Sequence, residues 1–140
     1  MILRPANALR GIALLLLGSF TLVAWAQTGL ILATLTLPGR RTPVEDTETV
    51  QITTAPTELD IHLEEQISHV QTGSLRFKIN DDSATLYTTI HPIDHGFMCS
   101  IDLTQTSAPQ LQPGDNLITV DFQDTWNQPH HAGFHLVLAQ

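Results

Sequence analysis

From residue 57 onward the chain alternates apolar and polar residues with a period of two, and few folds tolerate that pattern. Leu59, Ile61 and Leu63 alternate with Asp60, His62 and Glu64, and Leu75, Phe77 and Ile79 with Arg76, Lys78 and Asn80. Leu86, Thr88 and Ile90 follow the turn NDDSA. Phe97, Cys99, Ile101 and Leu103 alternate with Met98, Ser100 and Asp102. Ile118, Val120 and Phe122 share one side of NLITVDF, and Phe134, Leu136 and Leu138 close the chain. A strand turns successive side chains to opposite faces, so each run has one side to bury and one to leave in water. The turn clusters NDDS, HPIDHG, QPGDN and WNQPHHAG cut the runs at the spacing of a two-sheet sandwich. The expected fold is therefore mainly β.

Two stretches sharpen that expectation. LQPGDNLITVDFQDTWNQPHHAGFHLVL is similar to the last hairpin of bacterial immunoglobulin-like modules: a Leu-x-Pro-Gly-x-Asn turn, an alternating strand, an Asp-Thr-x-Asn turn and a closing strand. GSLRFKIND resembles their mid-domain strand ending in an Asn-containing turn. The resemblance implies an immunoglobulin-like antiparallel β-sandwich over residues 57–140. It implies no activity, because such modules serve as spacers, docking surfaces and sugar binders alike. The Cys…Trp…Cys arrangement of antibody domains is missing: the tryptophans are Trp25 and Trp126, and Cys99 is the only cysteine. The core must hold by packing, without an internal disulfide.

The N-terminal end obeys a different rule. From Gly11 to Leu37 no residue is charged, a run of 27, against the ~20 that a helix needs to cross the hydrocarbon. Arg10 precedes it and Arg40-Arg41 follow. The run predicts a single transmembrane α-helix over 11–37 acting as a signal anchor, with residues 1–10 cytoplasmic and 38–56 a linker. The competing reading is a cleaved leader: a basic n-region, the h-region GIALLLLGSFTLV and the small-x-small site AWA, which would make Gln27 the first mature residue. Either way the C-terminal domain is expected on the periplasmic side of a bacterial inner membrane. As a helix the run carries a stripe of small residues, Gly11, Gly18, Gly29 and Ala33, suited to close helix packing. Gln27 lies on another face, and its amide would need a partner in lipid.

Charge divides the chain in the same place. All fourteen acids lie from Glu45 onward, with only Arg76 and Lys78 to oppose them, a net −12. Such a domain is unsuited to nucleic acid or anionic lipid and suited to a cation or a basic soluble protein. All seven histidines lie in this part. His91, His95 and Met98, with His130, His131 and His135, form the only metal-like group, and imidazole plus thioether suits copper. Acids in or near turns (Asp81-Asp82, Asp115, Asp121, Asp124) are the ones a calcium site would use, although no EF-hand spacing occurs. The default expectation is no cofactor. Cys99 falls on the inward register and reads as a small buried hydrophobe.

No nucleophile elbow, phosphate loop or spaced carboxylate pair appears, and no enzyme is expected. The leading expectation is an accessory subunit whose helix packs among other transmembrane subunits and whose acidic domain bridges or docks partners. The alternative is a tethered or secreted module that binds a metal or a glycan.

Overall fold

The computed structural model describes residues 31–140. Ten strands build two five-stranded sheets packed face to face. The strands are β1 (Ile31–Thr36), β2 (Val44–Glu45), β3 (Thr49–Ile52), β4 (Glu58–Glu65), β5 (Arg76–Ile79), β6 (Asp82–Ser83), β7 (Thr88–Ile93), β8 (Gly96–Asp102), β9 (Gly114–Gln123) and β10 (Pro129–Leu138). One sheet runs β2-β1-β4-β8-β7 and the other β3-β10-β9-β5-β6. Every pairing is antiparallel except β3 with β10, which is parallel, a departure from the purely antiparallel sandwich expected.

The inward register follows the alternation. Leu59, Ile61 and Leu63 of β4 and Cys99 and Ile101 of β8 are wholly buried against Phe77 of β5, Ile118 and Val120 of β9, and Phe134 and Leu136 of β10. Each such side chain contributes roughly 1.5–3 kcal/mol relative to exposure, which is how the fold dispenses with a disulfide. Burial also pushes the Cys99 thiol up to about 12.

The N-terminal boundary needs correction. Residues 31–36 of the expected membrane helix form a strand that pairs along its whole length with β4. Ile31 and Leu35 point into the core while Leu32 and Thr36 are exposed. Ala33, expected on a helix-packing stripe, is a half-buried strand residue paired with Leu63. The reason is visible in LATLTL: Thr34 and Thr36 alternate with Leu35 and Leu37, a period-two pattern masked by the absence of charge. Residues 11–30, with Gly11, Gly18, Gln27 and Gly29, lie outside the described residues. Among the described residues no helix is long and apolar enough to cross a membrane.

The expected linker is also part of the sandwich. Val44 of β2 and Val50 of β3 are core residues, and the chain between β1 and β3 crosses from one sheet to the other. One further register slips. Leu86, expected inward, is 92% exposed. Ala84 takes the core position instead, its N–H donating to the Phe77 carbonyl at 2.8 Å, and the 3-10 turn Thr85–Tyr87 shifts the phase before β7 begins.

The residues that carried the immunoglobulin resemblance hold turns. Asn116 is completely buried. Its Oδ1 accepts from Asn80 Nδ2 at 2.8 Å and from the Gln112 amide at 2.7 Å, and its Nδ2 donates to the Gln112 and Leu136 carbonyls. Asn80 Oδ1 in turn accepts from the Leu117 amide. This pair ties the turn before β9 to the end of β5, satisfying backbone groups that would otherwise be orphaned.

Candidate metal centre

Four of the seven histidines are committed to carboxylates. His69 Nδ1 bonds Glu65 at 3.2 Å, His131 Nδ1 bonds Asp121 at 2.7 Å, and His135 Nδ1 faces Asp115 at 3.2 Å. The fourth pair is buried. His130 Nε2 donates to Asp124 Oδ2 at 2.8 Å, and the imidazole stacks on Phe122 with centroids 4.9 Å apart.

Asp124 is the centre of a closed network. Ser68 Oγ also donates to Oδ2, while the Trp126 and Gln128 amides donate to Oδ1, at 2.8–2.9 Å. Its own carbonyl accepts from Gln71 Nε2. Burial alone would raise the carboxyl pKa, but the donors from His130, Gln128, Ser68 and Trp126 outweigh it and hold the group at about 2. Every carboxylate oxygen is used, so the pair fastens the loop before β5 to the β9–β10 turn. It is a structural fastening.

The three remaining histidines, His62, His91 and His95, make no hydrogen bond to a carboxylate among the described residues. Strand register brings two of them together. His62 of β4 pairs with Met98 of β8, and Met98 pairs with His91 of β7. Directly paired residues on antiparallel strands share a face. The neighbours Ile61, Leu63 and Cys99 point inward and Ile90 packs against the core. His62, Met98 and His91 therefore form one row on the outer face: imidazole, thioether, imidazole.

The spacing suits a shared ion. Paired residues hold their Cβ atoms roughly 5 Å apart, so an imidazole stands on each side of the thioether. An ion about 4 Å above the Met98 Cβ lies about 6 Å from each histidine Cβ, the reach of an imidazole ligating through Nε2 at about 2 Å. Met98 and His62 are half-buried and His91 is exposed, so the row is open to solvent. Among the described residues no three His, Cys, Asp or Glu side chains converge to hold an ion. The row itself offers two borderline ligands and one soft ligand, and Asp60 and Ser100 lie beside it on the same face.

The structure divides the histidine–methionine group read from the sequence. His91 and Met98 are neighbours. His95 sits in the β7–β8 turn, at φ 62°, with its carbonyl accepting from the Glu65 amide, outside the row. His130 and His131 belong to β10 in the other sheet and are paired with Asp124 and Asp121. His62 was not among the candidates read from the sequence. Its outward position was readable from the alternation, but its neighbours were not, because they lie 29 and 36 residues away in sequence. The turn acids suggested for calcium are largely engaged: Asp115 and Asp121 with histidines, Asp124 with four donors.

No family model matches the sequence, and no curated protein matches it. Among solved structures the chain is similar to CopC from Methylosinus trichosporium OB3b, with a TM-score of 0.46 and 10% identity, over 66% of this chain and 85% of that one. A likeness at this level speaks to neither family nor function.

Proposed function

We propose that this chain is an exported immunoglobulin-like module whose outer sheet face binds a monovalent copper ion through His62, Met98 and His91. The observation that carries the reading is the cross-strand row itself. Thioether and imidazole ligands favour Cu(I) over the hard cations, and over Zn²⁺, which prefers a closed set of nitrogen or thiolate ligands. The immunoglobulin-like assignment draws on strand order: four strands β1-β4-β8-β7 face β10-β9-β5, and the short β3 leaves the first sheet to pair with the last strand. Export draws on the basic, apolar, small-x-small order of residues 1–26. Residues 31–37, apolar and placed within the expected membrane span, belong to the sandwich, which supports cleavage after Ala26 over a retained helix reaching Leu37. The module binds and carries; no chemistry is assigned to it.

Anaerobic titration of the purified protein with Cu(I) against a chromophoric chelator tests this. One ion per chain is expected, with X-ray absorption showing two nitrogen ligands and one sulfur. His62→Ala, His91→Ala and Met98→Leu should each weaken binding at least tenfold, while His131→Ala and His135→Ala leave it unchanged. Equal losses at His131, or absence of binding, would remove the reading.

A second reading, the accessory subunit, draws on one observation. Ile67 and Trp126 are 59% and 56% exposed in adjoining loops, joined by the Thr125 amide on the His69 carbonyl at 2.8 Å. They lie at the end of the sandwich where β1 starts. Copurification of other subunits in mild detergent, lost on Trp126→Ser, is its test.

A further inference from the structure

One buried polar side-chain atom among the described residues has no hydrogen-bond partner: Oδ1 of Asp60. An orphaned buried carboxylate oxygen costs stability, and where the other buried side-chain N and O atoms among the described residues are partnered it calls for a cause. Its position supplies one. Asp60 lies two residues before His62 on β4, and so on the same outer face. It pairs with Ser100 of β8 as His62 pairs with Met98. Asp60, Ser100, His62 and Met98 thus form a square, with His91 beside Met98.

We propose that Asp60 is the positioning residue of the copper site: when His62 ligates through Nε2, its Nδ1–H donates to Asp60 Oδ1. The inference rests on the metal-binding reading of the row. Ligating histidines characteristically donate their other ring N–H to a carboxylate or carbonyl, which fixes the tautomer and the ring orientation and raises ligand basicity. Among the described residues His62 has no such partner, and Asp60 Oδ1 has no such donor. Each lacks what the other provides. Side chains at i and i+2 of a strand stand roughly 7 Å apart, and a carboxylate and an imidazole Nδ1 each reach about 2.5 Å from Cβ, so a rotamer change closes the gap to hydrogen-bond distance. Asp60 is not itself a ligand in this scheme.

Metal-free and metal-loaded proteins should respond to Asp60 in opposite directions, which a merely structural role would not produce. Removing an orphaned buried carboxylate oxygen should raise Tm of the metal-free protein by a few degrees in Asp60→Ala. The same substitution should weaken Cu(I) binding 10- to 100-fold, and Asp60→Asn, which keeps an acceptor oxygen but no charge, by an intermediate factor. In the Cu(I)-loaded wild type, nitrogen NMR should show His62 protonated at Nδ1, with that proton exchanging faster in Asp60→Ala. If wild type binds Cu(I) and Asp60→Ala binds within twofold of it, the positioning role is overturned and the metal site stands. If wild type binds no Cu(I), both fall. A lower metal-free Tm in Asp60→Ala would overturn the role by assigning Asp60 to the fold.

Discussion

The buried Asp124 network offers the sharpest test of how this domain is held together. Asp124→Ala removes the acceptor of four hydrogen bonds at once. Two of the donors are enclosed: Ser68 is 1% exposed and the His130 side chain 10%. Leaving each without an acceptor costs about 1–3 kcal/mol. The Trp126 and Gln128 amides belong to exposed turn residues and can turn to water, so their share is smaller. A loss of about 4 kcal/mol follows, within the roughly 3–5 kcal/mol typical of breaking one side of a buried charge pair. With an m-value of about 2 kcal/mol/M, the urea midpoint should fall by about 2 M. Equilibrium unfolding followed by tryptophan fluorescence reads this directly, because Trp126 sits in the affected turn. Ser68→Ala combined with Asp124→Ala should cost less than the sum of the two, since the first removes an orphan that the second creates. A loss under about 1 kcal/mol, or strict additivity, would refute the reasoning.

Other outcomes follow from neighbouring features. Because folding depresses the Asp124 pKa to about 2 from an unfolded value of about 3.9, its carboxylate stabilises the fold fully above about pH 4, and that share is lost as pH falls towards 2. Acid titration of Asp124→Asn should lack this component. Cys99, wholly buried with its thiol near 12, should resist iodoacetamide at pH 8 in the folded protein and react on addition of denaturant. At Gly96, a Cβ would stand 1.8 Å from the Leu63 carbonyl oxygen. Gly96→Ala should therefore push β8 off β4 and lower Tm by more than 10 °C, whereas Gly73→Ala, where nothing lies within 4 Å, should be close to neutral.

Much of the core was legible because alternation fixes which side of a strand is buried. Leu59, Ile61, Leu63, Phe77, Cys99, Ile118 and Phe134 were placed inward by period alone and are inward. β1 was hidden by its neighbours: a strand whose outward positions are Leu32, Thr34 and Thr36 carries no charge to set it apart from the apolar run before it. β2 and β3, two and four residues long, are too short to show a period. The site failed for another reason. His62, Met98 and His91 become adjacent only through the register of three strands, and spacing along the chain holds no record of register. Asp124 and Ser68, 56 residues apart, were illegible on the same ground, although the turn around Asp124 was part of the resemblance.

The parallel pairing of β3 with β10 bears on how the domain withstands pulling. Ile31 enters at the end of the sandwich where β4 finishes, and Leu138 leaves at the opposite end. Tension between an attachment before Ile31 and a grip on the last strand would run along the strands, drawing β1 past β4 and β3 past β10 in opposite senses. The hydrogen bonds at both seams would then have to slide together instead of opening one at a time like a zipper. A sandwich threaded in this way is built to stay shut under a steady tug from either side.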